Sequence, residues 1–470
     1  MEFNEQEDEL LEPVSPVAQC FNTSVLSISV IVVLEFEIPI DEAKIMSYAK
    51  DLIPLNPLFS SIMVEDINGK RKWKKVEVNL EEHILVPTLP SNLSLVELNY
   101  DTYFKEYMTD LGVQELPKNK PLWEIHIINY PTKNAAAHLI LKFHHSLGDG
   151  YSMMGLLISS MKRADNPSLP LTFPSRKINS DHNLQSRNVL SLVPKFVLSS
   201  MNSVLDFGWS IMKSSVLEDD LTPIRSGGDG VEFRPIATWT INFSLHQIKQ
   251  IKSKLRVTIN DVVTGIIFLG IRLYMYETCP NSTQSNSTAI VLLNTRMLGD
   301  YKSIEDMLKP NSNNPWGNHF ALLPIDIPKL TDYELSNPIQ FIKAAQKLIK
   351  RKRYSYAVFL VDKLMEMINK LKGPEAAAKY VYKTARNSSI SISNMIGPKE
   401  KMALLGHPAK GIYFTVVGLP QSLMITMISY MENLRITFGS EKEFIDQVKL
   451  TSCMKKALEL IHNASFDISI

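Results

Sequence analysis

The chain has little cysteine: three thiols, Cys20, Cys279 and Cys453, are spread over 470 residues. An odd number at such spacing makes neither a disulfide framework nor a zinc motif, and it suits a reducing compartment. An excess of charge is also missing. The 50 Lys and Arg offset 49 Asp and Glu, for a net +1. A chain so balanced has no global field to draw in nucleic acid or another polyanion. The N-terminal stretch MEFNEQEDELLEP is acidic and has no apolar core, so no secretory signal is expected. Sequons such as Asn281-Ser282-Thr283 then read as chance. Long clean hydrophobic runs are scarce as well. Residues 24–36 are apolar but short and rich in Val and Ile, which describes a buried strand. Residues 189–216 are long enough to span a bilayer but carry Lys195, Asp206, Lys213 and a proline. One charge at mid-bilayer costs about 2.5–3.5 kcal/mol. A helix lying on a membrane surface, or packed across the protein, fits this segment better than a span.

What is present is an ordinary globular composition, 45% apolar and 21% charged, at a length that favours two domains. Strand-like and helix-like patterns alternate. A strand at 24–36 leads to a helix opened by Asp41, whose acidic first turn suits the helix dipole. Residues 73–78, 121–129 and 135–143 read as strands, the last two as a hairpin, and 151–163 as a short apolar helix. Residues 164–188 turn polar, and 218–230 form a second loop. The pattern then restarts. It has strands at 237–243, 289–294, 319–325 and 389–393, and helices at 245–254 and 258–276. A hairpin-like pair follows at 412–417 and 422–430, then a last helix at 441–461. This order predicts an α/β protein with domains 1–163 and 232–470, joined by a linker at 164–231 that carries the apolar segment.

The stretch Phe143-His144-His145-Ser146-Leu147-Gly148-Asp149-Gly150 holds the chemistry. Adjacent residues of an extended chain point to opposite sides, so only one of the two histidines faces a given site. No third ligand stands at helical or hairpin spacing, so no metal site is expected. A neutral imidazole at a strand end, by contrast, can take a proton from a hydroxyl near pH 7 and return it. Asp149 follows His145 by four positions between two glycines that allow a tight turn. It can brace that turn or orient the imidazole as in a triad. Spacing leaves both roles open.

His-x-x-x-Asp-Gly is the motif of CoA-dependent acyltransferases of the chloramphenicol acetyltransferase-like superfamily. Its doubled form here resembles the wax ester synthase/diacylglycerol acyltransferase family. Pro121-Leu122-Trp123 looks like that family's PLW motif, Asn260-Asp261 its Asn-Asp motif, and Asn394-Met395-Ile396-Gly397-Pro398 its N-x-x-G-P motif. PVSP (13–16), LNPLFSSI (55–62), WKKVEVNLEEHI (73–84), EDDLTPIR (218–225), NTR (294–296) and PWGN (315–318) resemble the plant branch. The likeness runs in order over nearly the whole chain. A second resemblance is set aside. Asp206-Phe207-Gly208-Trp209 looks like the start of the C-terminal motif of plant BAHD acyltransferases, but Ser210 follows it, and it lies too soon after Asp149 and inside the apolar segment.

The resemblance implies two chloramphenicol acetyltransferase-like domains, each a mixed sheet flanked by helices, with the active-site channel between them. It implies acyl transfer from acyl-CoA, a substrate and not a cofactor, to a long-chain fatty alcohol or, more weakly, to diacylglycerol. In that reading His145 is the general base, Asp149 the loop brace, and Asn260 an oxyanion donor, with a helix-cap role for Asn260 and Asp261 as the alternative. Asn394, Gly397 and Pro398 shape the channel wall, and Arg296 either pairs with Asp149 or is a surface arginine. His144, Gly150 and Pro121-Leu122-Trp123 complete the motif set, His144 in a structural part. Lys350-Arg351-Lys352-Arg353 is either a solvated helix end or a seat for CoA phosphates. The expected partners include a membrane surface and no nucleic acid. The expected place is the cytosolic face of the endoplasmic reticulum, with the plasma membrane as a second location. Residues 189–216 would be the anchor, with Phe207 and Trp209 at headgroup level and Lys195 and Lys213 on lipid phosphates. A soluble BAHD-like enzyme of small secondary metabolites and a non-catalytic binding protein are the other classes. An assay with fatty-alcohol and phenolic acceptors separates the first, and retention of both His145 and Asp149 argues against the second.

Overall fold

The computed structural model describes residues 10–66, 70–88, 99–174, 192–296, 301–353 and 355–467. Two compact units emerge, and neither is contiguous. Unit 1 comprises Met1–Pro174, Asp300–His319 and Met395–Gly418, and unit 2 comprises Ser175–Gly299, Phe320–Asn394 and Leu419–Ile470. Segments 300–319 and 395–418, which the sequence pattern grouped with the C-terminal domain, thus cluster with unit 1.

The main sheet of unit 1 runs in the order Ile84–Leu85, Trp123–Ile128, Ala137–His144, Ser29–Phe36, His407–Val417, Met402–Leu404 and Lys162–Arg163. The strand Ala137–His144 lies inside it, paired antiparallel with neighbours on both sides. Both of its faces are covered, which is why its sequence is a near-continuous apolar run. Its one cation, Lys142, is buried. Its Nζ donates to the carbonyls of Leu111, at 2.8 Å, and of Gln114, at the end of helix Tyr100–Val113. These are carbonyls the helix itself leaves without a partner. Burial pulls the ammonium down to about 8.

The pair expected at 412–417 and 422–430 is not a hairpin. His407–Val417 runs antiparallel to Ser29–Phe36 in unit 1, whereas Leu423–Tyr430 pairs with Asn433–Glu441 in unit 2. The chain leaves the first sheet at Gly418, where φ is +84° and a Cβ would stand 2.0 Å from the Ser27 carbonyl oxygen. Only glycine fits there. Two apolar runs flanking a turn look alike whether the strands pair or part.

Unit 2 holds a six-stranded sheet in the order Phe320–Asp326, Thr288–Asn294, Ile390–Ile396, Leu423–Tyr430, Asn433–Glu441 and Ile236–Ser244. Asn433–Glu441 had not been expected as a strand, and the last helix starts later, at Gln447. One described helix, Ile259–Thr278, is long and apolar enough to cross a membrane, but 83% of its apolar window is buried inside the protein. Helices Ile339–Arg353 and Gln447–Asp467 pack on it, close in at Gly265 and Gly270. Arg272, fully buried on the same helix, donates to the carbonyls of Ser285, Ile327 and Pro328. The EDDLTPIR segment has a structural part. Asp219 accepts from Lys213 Nζ at 2.5 Å, Thr288 N at 2.6 Å and Ser389 Oγ at 2.6 Å, tying that segment to the strand starts.

Candidate active site

The strand ends at His144, and the chain turns through a 3-10 turn, His145–Leu147, into helix Gly150–Ser160. The two imidazoles therefore part company. His144 is 3% exposed and its Nδ1 accepts from the Ser146 amide at 3.2 Å. A backbone N–H can only donate, so the His144 proton sits on Nε2, which faces Ser27 Oγ at 3.3 Å. Burial holds its pKa down to about 3. His144 is thus a neutral cap on the turn.

His145 has the opposite tautomer. The Asn318 amide donates through Nδ2 to the His145 carbonyl at 2.8 Å, so its Oδ1 is the atom facing His145 Nδ1 at 2.9 Å. Nδ1 must carry the hydrogen, and Nε2 the lone pair. Burial lowers the His145 pKa, while the Asp149 carboxylate and the Asn318 hydrogen bond oppose part of that shift. The ring of Phe21 packs on it with centroids 5.0 Å apart. Phe21 closes helix Pro16–Phe21, which the PVSP segment starts by placing Ser15 as N-cap and Pro16 at the first turn.

The Asp149 carboxylate braces the turn. Its Oδ1 accepts from Ser152 N at 3.1 Å and caps helix Gly150–Ser160. Its Oδ2 accepts from His319 N at 2.9 Å. Ser152 Oγ donates to the Gly317 carbonyl at 3.0 Å, and Trp316 Nε1 to the Leu147 carbonyl at 2.7 Å. Residues 316–319 thus lie along the turn as a clamp, with Asn318 on the base and Asp149 as the anchor. PWGN resembled a family segment in the sequence, but its role was not foreseen. Nothing local marks residues that act some 170 positions away.

The other motif residues fall in both units. In unit 1, the Leu122 carbonyl accepts from His144 N at 2.9 Å. Trp123 Nε1 donates to the Phe59 carbonyl at 2.8 Å, so Pro121-Leu122-Trp123 secures the strand beside the turn. Gly397 and Pro398 are buried in unit 1. A Cβ on Gly150 would come 2.9 Å from Met395 Sδ, so the two motifs meet there. In unit 2, Thr258 and Asp261 form a reciprocal capping box at the start of helix Ile259–Thr278. Asn260 Oδ1 accepts from Asn394 Nδ2 at 3.0 Å, which joins the Asn-Asp and N-x-x-G-P motifs and leaves the Asn260 NH₂ as its donor end. Arg296 is buried in unit 2, its amide on Asn294 Oδ1. Among the described residues, no group of three His, Cys, Asp or Glu is arranged to hold a metal ion.

Two comparisons of the whole chain decide what this machinery belongs to. Residues 67–263 match the wax ester synthase/diacylglycerol acyltransferase catalytic domain and 316–462 the WS/DGAT C-terminal domain. Wax ester synthase/diacylglycerol acyltransferase 4 of Arabidopsis thaliana is 30% identical over 459 residues, covering 92% of this chain and 86% of that one. The chain belongs to the wax ester synthase/diacylglycerol acyltransferase family. It is an O-acyltransferase. Relative 7 from the same plant is 28% identical over 95% of this chain and 96% of its own. Among solved structures, the Marinobacter aquaeolei VT8 enzyme of the same name aligns with TM-score 0.60 at 16% identity, covering 97% of this chain and 100% of that one. The starter condensation domain of rhizomide synthetase RzmA, in a complex with C8-CoA, aligns with TM-score 0.54 at 12% identity, over 98% and 96%. At such identities these two show the fold, a mixed α/β architecture of two domains.

Three expectations fall on the helix Leu192–Ser215, within unit 2. Asp206, which opens the BAHD-like Asp-Phe-Gly-Trp, is a buried ion-pair partner: it accepts from Arg351 Nη2 at 2.5 Å and lies 3.2 Å from Lys352 Nζ. Trp209 is half-buried, with Lys352 Nζ 4.8 Å from its ring centre. Lys213 is buried against Asp219 and cannot reach a lipid phosphate. The side chain of Lys195 lies outside the described residues.

Proposed function

We propose that this acyltransferase makes wax esters from acyl-CoA and long-chain fatty alcohols and, with lower turnover, triacylglycerol from diacylglycerol. His145 Nε2 takes the proton of the acceptor hydroxyl. The alkoxide oxygen bonds to the thioester carbonyl carbon, whose oxygen becomes an oxyanion. The oxyanion collapses, the C–S bond breaks, and the proton on Nε2 passes to the departing CoA thiolate. No acyl-enzyme and no cofactor is needed. Asn260 is the donor assigned to the oxyanion, since an amide can donate without titrating and its oxygen is already engaged.

The observation that carries this reading is the tautomer of His145. Asn318 holds the proton on Nδ1 and turns the basic nitrogen outward from that clasp, and burial keeps the ring neutral at pH 7. The acceptor class is supported by the names of the relatives. Substrates of this kind are almost insoluble in water, so the place of action we infer is the cytosolic face of the endoplasmic reticulum, with the plasma membrane second. The test is the purified chain with a panel of acyl-CoAs against hexadecanol, diacylglycerol and a phenolic acceptor. Fastest ester formation on hexadecanol is expected. Faster turnover on diacylglycerol overturns the ranking, and faster turnover on the phenol overturns the acceptor class.

A further inference from the structure

From Ser203 to Ser215, where its side chains are described, the helix Leu192–Ser215 turns one side to helices Ala357–Lys372 and Pro374–Arg386. Its other side is apolar and open: Val204 is 67% exposed, Leu205 62% and Met212 49%. These positions, with Gly208, recur at helical spacing and form one stripe. Helix Ala357–Lys372 carries a second stripe through Phe359, Met367 and Leu371, exposed by 58%, 52% and 73%. The two helices pack together, and Tyr356 N donates to Ser203 Oγ at 3.0 Å. A monomeric soluble protein seldom leaves so many large apolar side chains together in water.

Helix Ala357–Lys372 carries mixed charge, with Lys363 paired to Glu366 at 2.6 Å, but the helix end beside it is basic. Helix Ile339–Arg353 ends in Lys350-Arg351-Lys352-Arg353, three residues before Tyr356. Arg351 and Lys352 share the buried Asp206, which fastens this basic end to the apolar helix, and Asp326 is the other carboxylate they feel. Lys350 and Arg353 are exposed. Four cations against these two carboxylates leave the end of helix Ile339–Arg353 positive.

We infer that this corner of unit 2 docks on a lipid surface bearing anionic headgroups. Val204, Leu205, Met212, Phe359 and Leu371 enter the acyl boundary, and Lys350 and Arg353 lie on headgroup phosphates. An apolar face gains by leaving water, and each basic residue near an anionic surface adds attraction that salt screens. The inference rests on the membrane reading above but moves the contact from Phe207 and Trp209 to the more exposed stripe that lies between them on the helix. It also gives the basic run a phosphate partner other than CoA.

The test is flotation of the full chain with phosphatidylcholine vesicles, alone and with about a quarter phosphatidylserine. Three variants are compared with the parent: Leu205→Glu/Met212→Glu, Phe359→Glu/Leu371→Glu, and Lys350→Gln/Arg353→Gln. Both apolar variants should partition at least about tenfold less on either vesicle. The Lys350→Gln/Arg353→Gln variant should lose binding on anionic vesicles alone, and less so at high salt. Unchanged melting temperature and unchanged esterification of detergent-dispersed substrate would show that fold and site are intact. Variants that float like the parent overturn the inference while leaving the membrane reading standing. A parent that fails to float on both vesicles overturns both. A parent that is dimeric, with the apolar variants monomeric yet still floating, makes the face a contact between two copies and overturns the lipid assignment. Loss of saturation by CoA in the Lys350→Gln/Arg353→Gln variant with flotation unchanged returns the basic run to the substrate.

Discussion

His144 and His145 are chain neighbours, both buried, both with imidazolium disfavoured by desolvation. They differ in which nitrogen bears the hydrogen. The Ser146 amide forces the His144 proton to Nε2, and the Asn318 carbonyl forces the His145 proton to Nδ1. Burial and charge alone do not make a base out of one and a cap out of the other. The polarity of the partner at Nδ1 does: a donor there consumes the lone pair, and an acceptor there sends it to the far nitrogen. The sharpest way to break this comparison is to remove each ring in turn. His145→Ala should lower kcat by at least about 10²–10⁴-fold, the usual worth of a general base, with the fold retained by circular dichroism. Near-normal turnover in His145→Ala, with loss in His144→Ala, would reverse the assignment.

Asn318 allows a finer test, because it can be changed without touching either ring. Asn318→Ala removes the acceptor at Nδ1 and frees the imidazole to take the other tautomer. A loss of roughly 10–100-fold is expected, the size seen when the partner that orients a ligating histidine is deleted. The pH profile separates orientation from structure. The Asn318 hydrogen bond raises the His145 pKa against the desolvation that lowers it. Its loss should therefore move the acid limb of kcat/KM to lower pH, and Asn318→Asp, which adds a negative charge at the same atom, should move it to higher pH. The parent's limb should lie below pH 6.5. Two variants with equal loss and no shift of the limb would make Asn318 a packing residue.

Asp149 is expected to act on the clamp more than on the base. Asp149→Asn weakens the bonds to Ser152 N and His319 N, which are charge-assisted in the parent. A cost of about 1–2 kcal/mol follows, or a fall of a few degrees in Tm for a chain of this size. Activity should fall along with Tm. A large kinetic loss at unchanged Tm would place the carboxylate in the reaction and not in the turn.

How much of this was legible in the residues depends on how local each cause is. The strand 137–144, the turn glycines, the cap at Asp41 and the core helix from Ile259 each follow from a run of neighbours, and periodicity finds them within a few positions. The base could be named from the residue type and its strand end. Its tautomer could not, since Asn318 comes from a distant segment whose own sequence, Pro-Trp-Gly-Asn, advertises a turn and nothing more. The same limit made a hairpin of two strands that Gly418 sends to different sheets. The acidic Asp206 was read as a reason against a membrane span. Its actual part, holding a basic helix end against an apolar helix, depends on a partner 145 residues away.

The smallest effect is expected at His144, and it should show in acid, where the two histidines can be told apart by stability. His144→Asn keeps an acceptor near the Nδ1 position for the Ser146 amide, so turnover should stay within several-fold of the parent. At pH 7 the smaller side chain costs packing, about 1 kcal/mol. The pH dependence runs the other way. In the unfolded chain a histidine titrates near 6.5, whereas folded His144 resists protonation down to about 3. Between those values the unfolded state binds the proton and the folded state does not, so the contribution of His144 to stability is whole above pH 6.5 and falls as pH drops toward 3. The variant lacks this loss, and His145 contributes the same slope to both proteins. The Tm advantage of the parent over His144→Asn should therefore be greatest at pH 7, shrink as pH falls, and reverse by pH 4. Parallel Tm curves over that range would mean that His144 takes up its proton in the folded protein, and the Nε2–H tautomer assigned to it would be wrong.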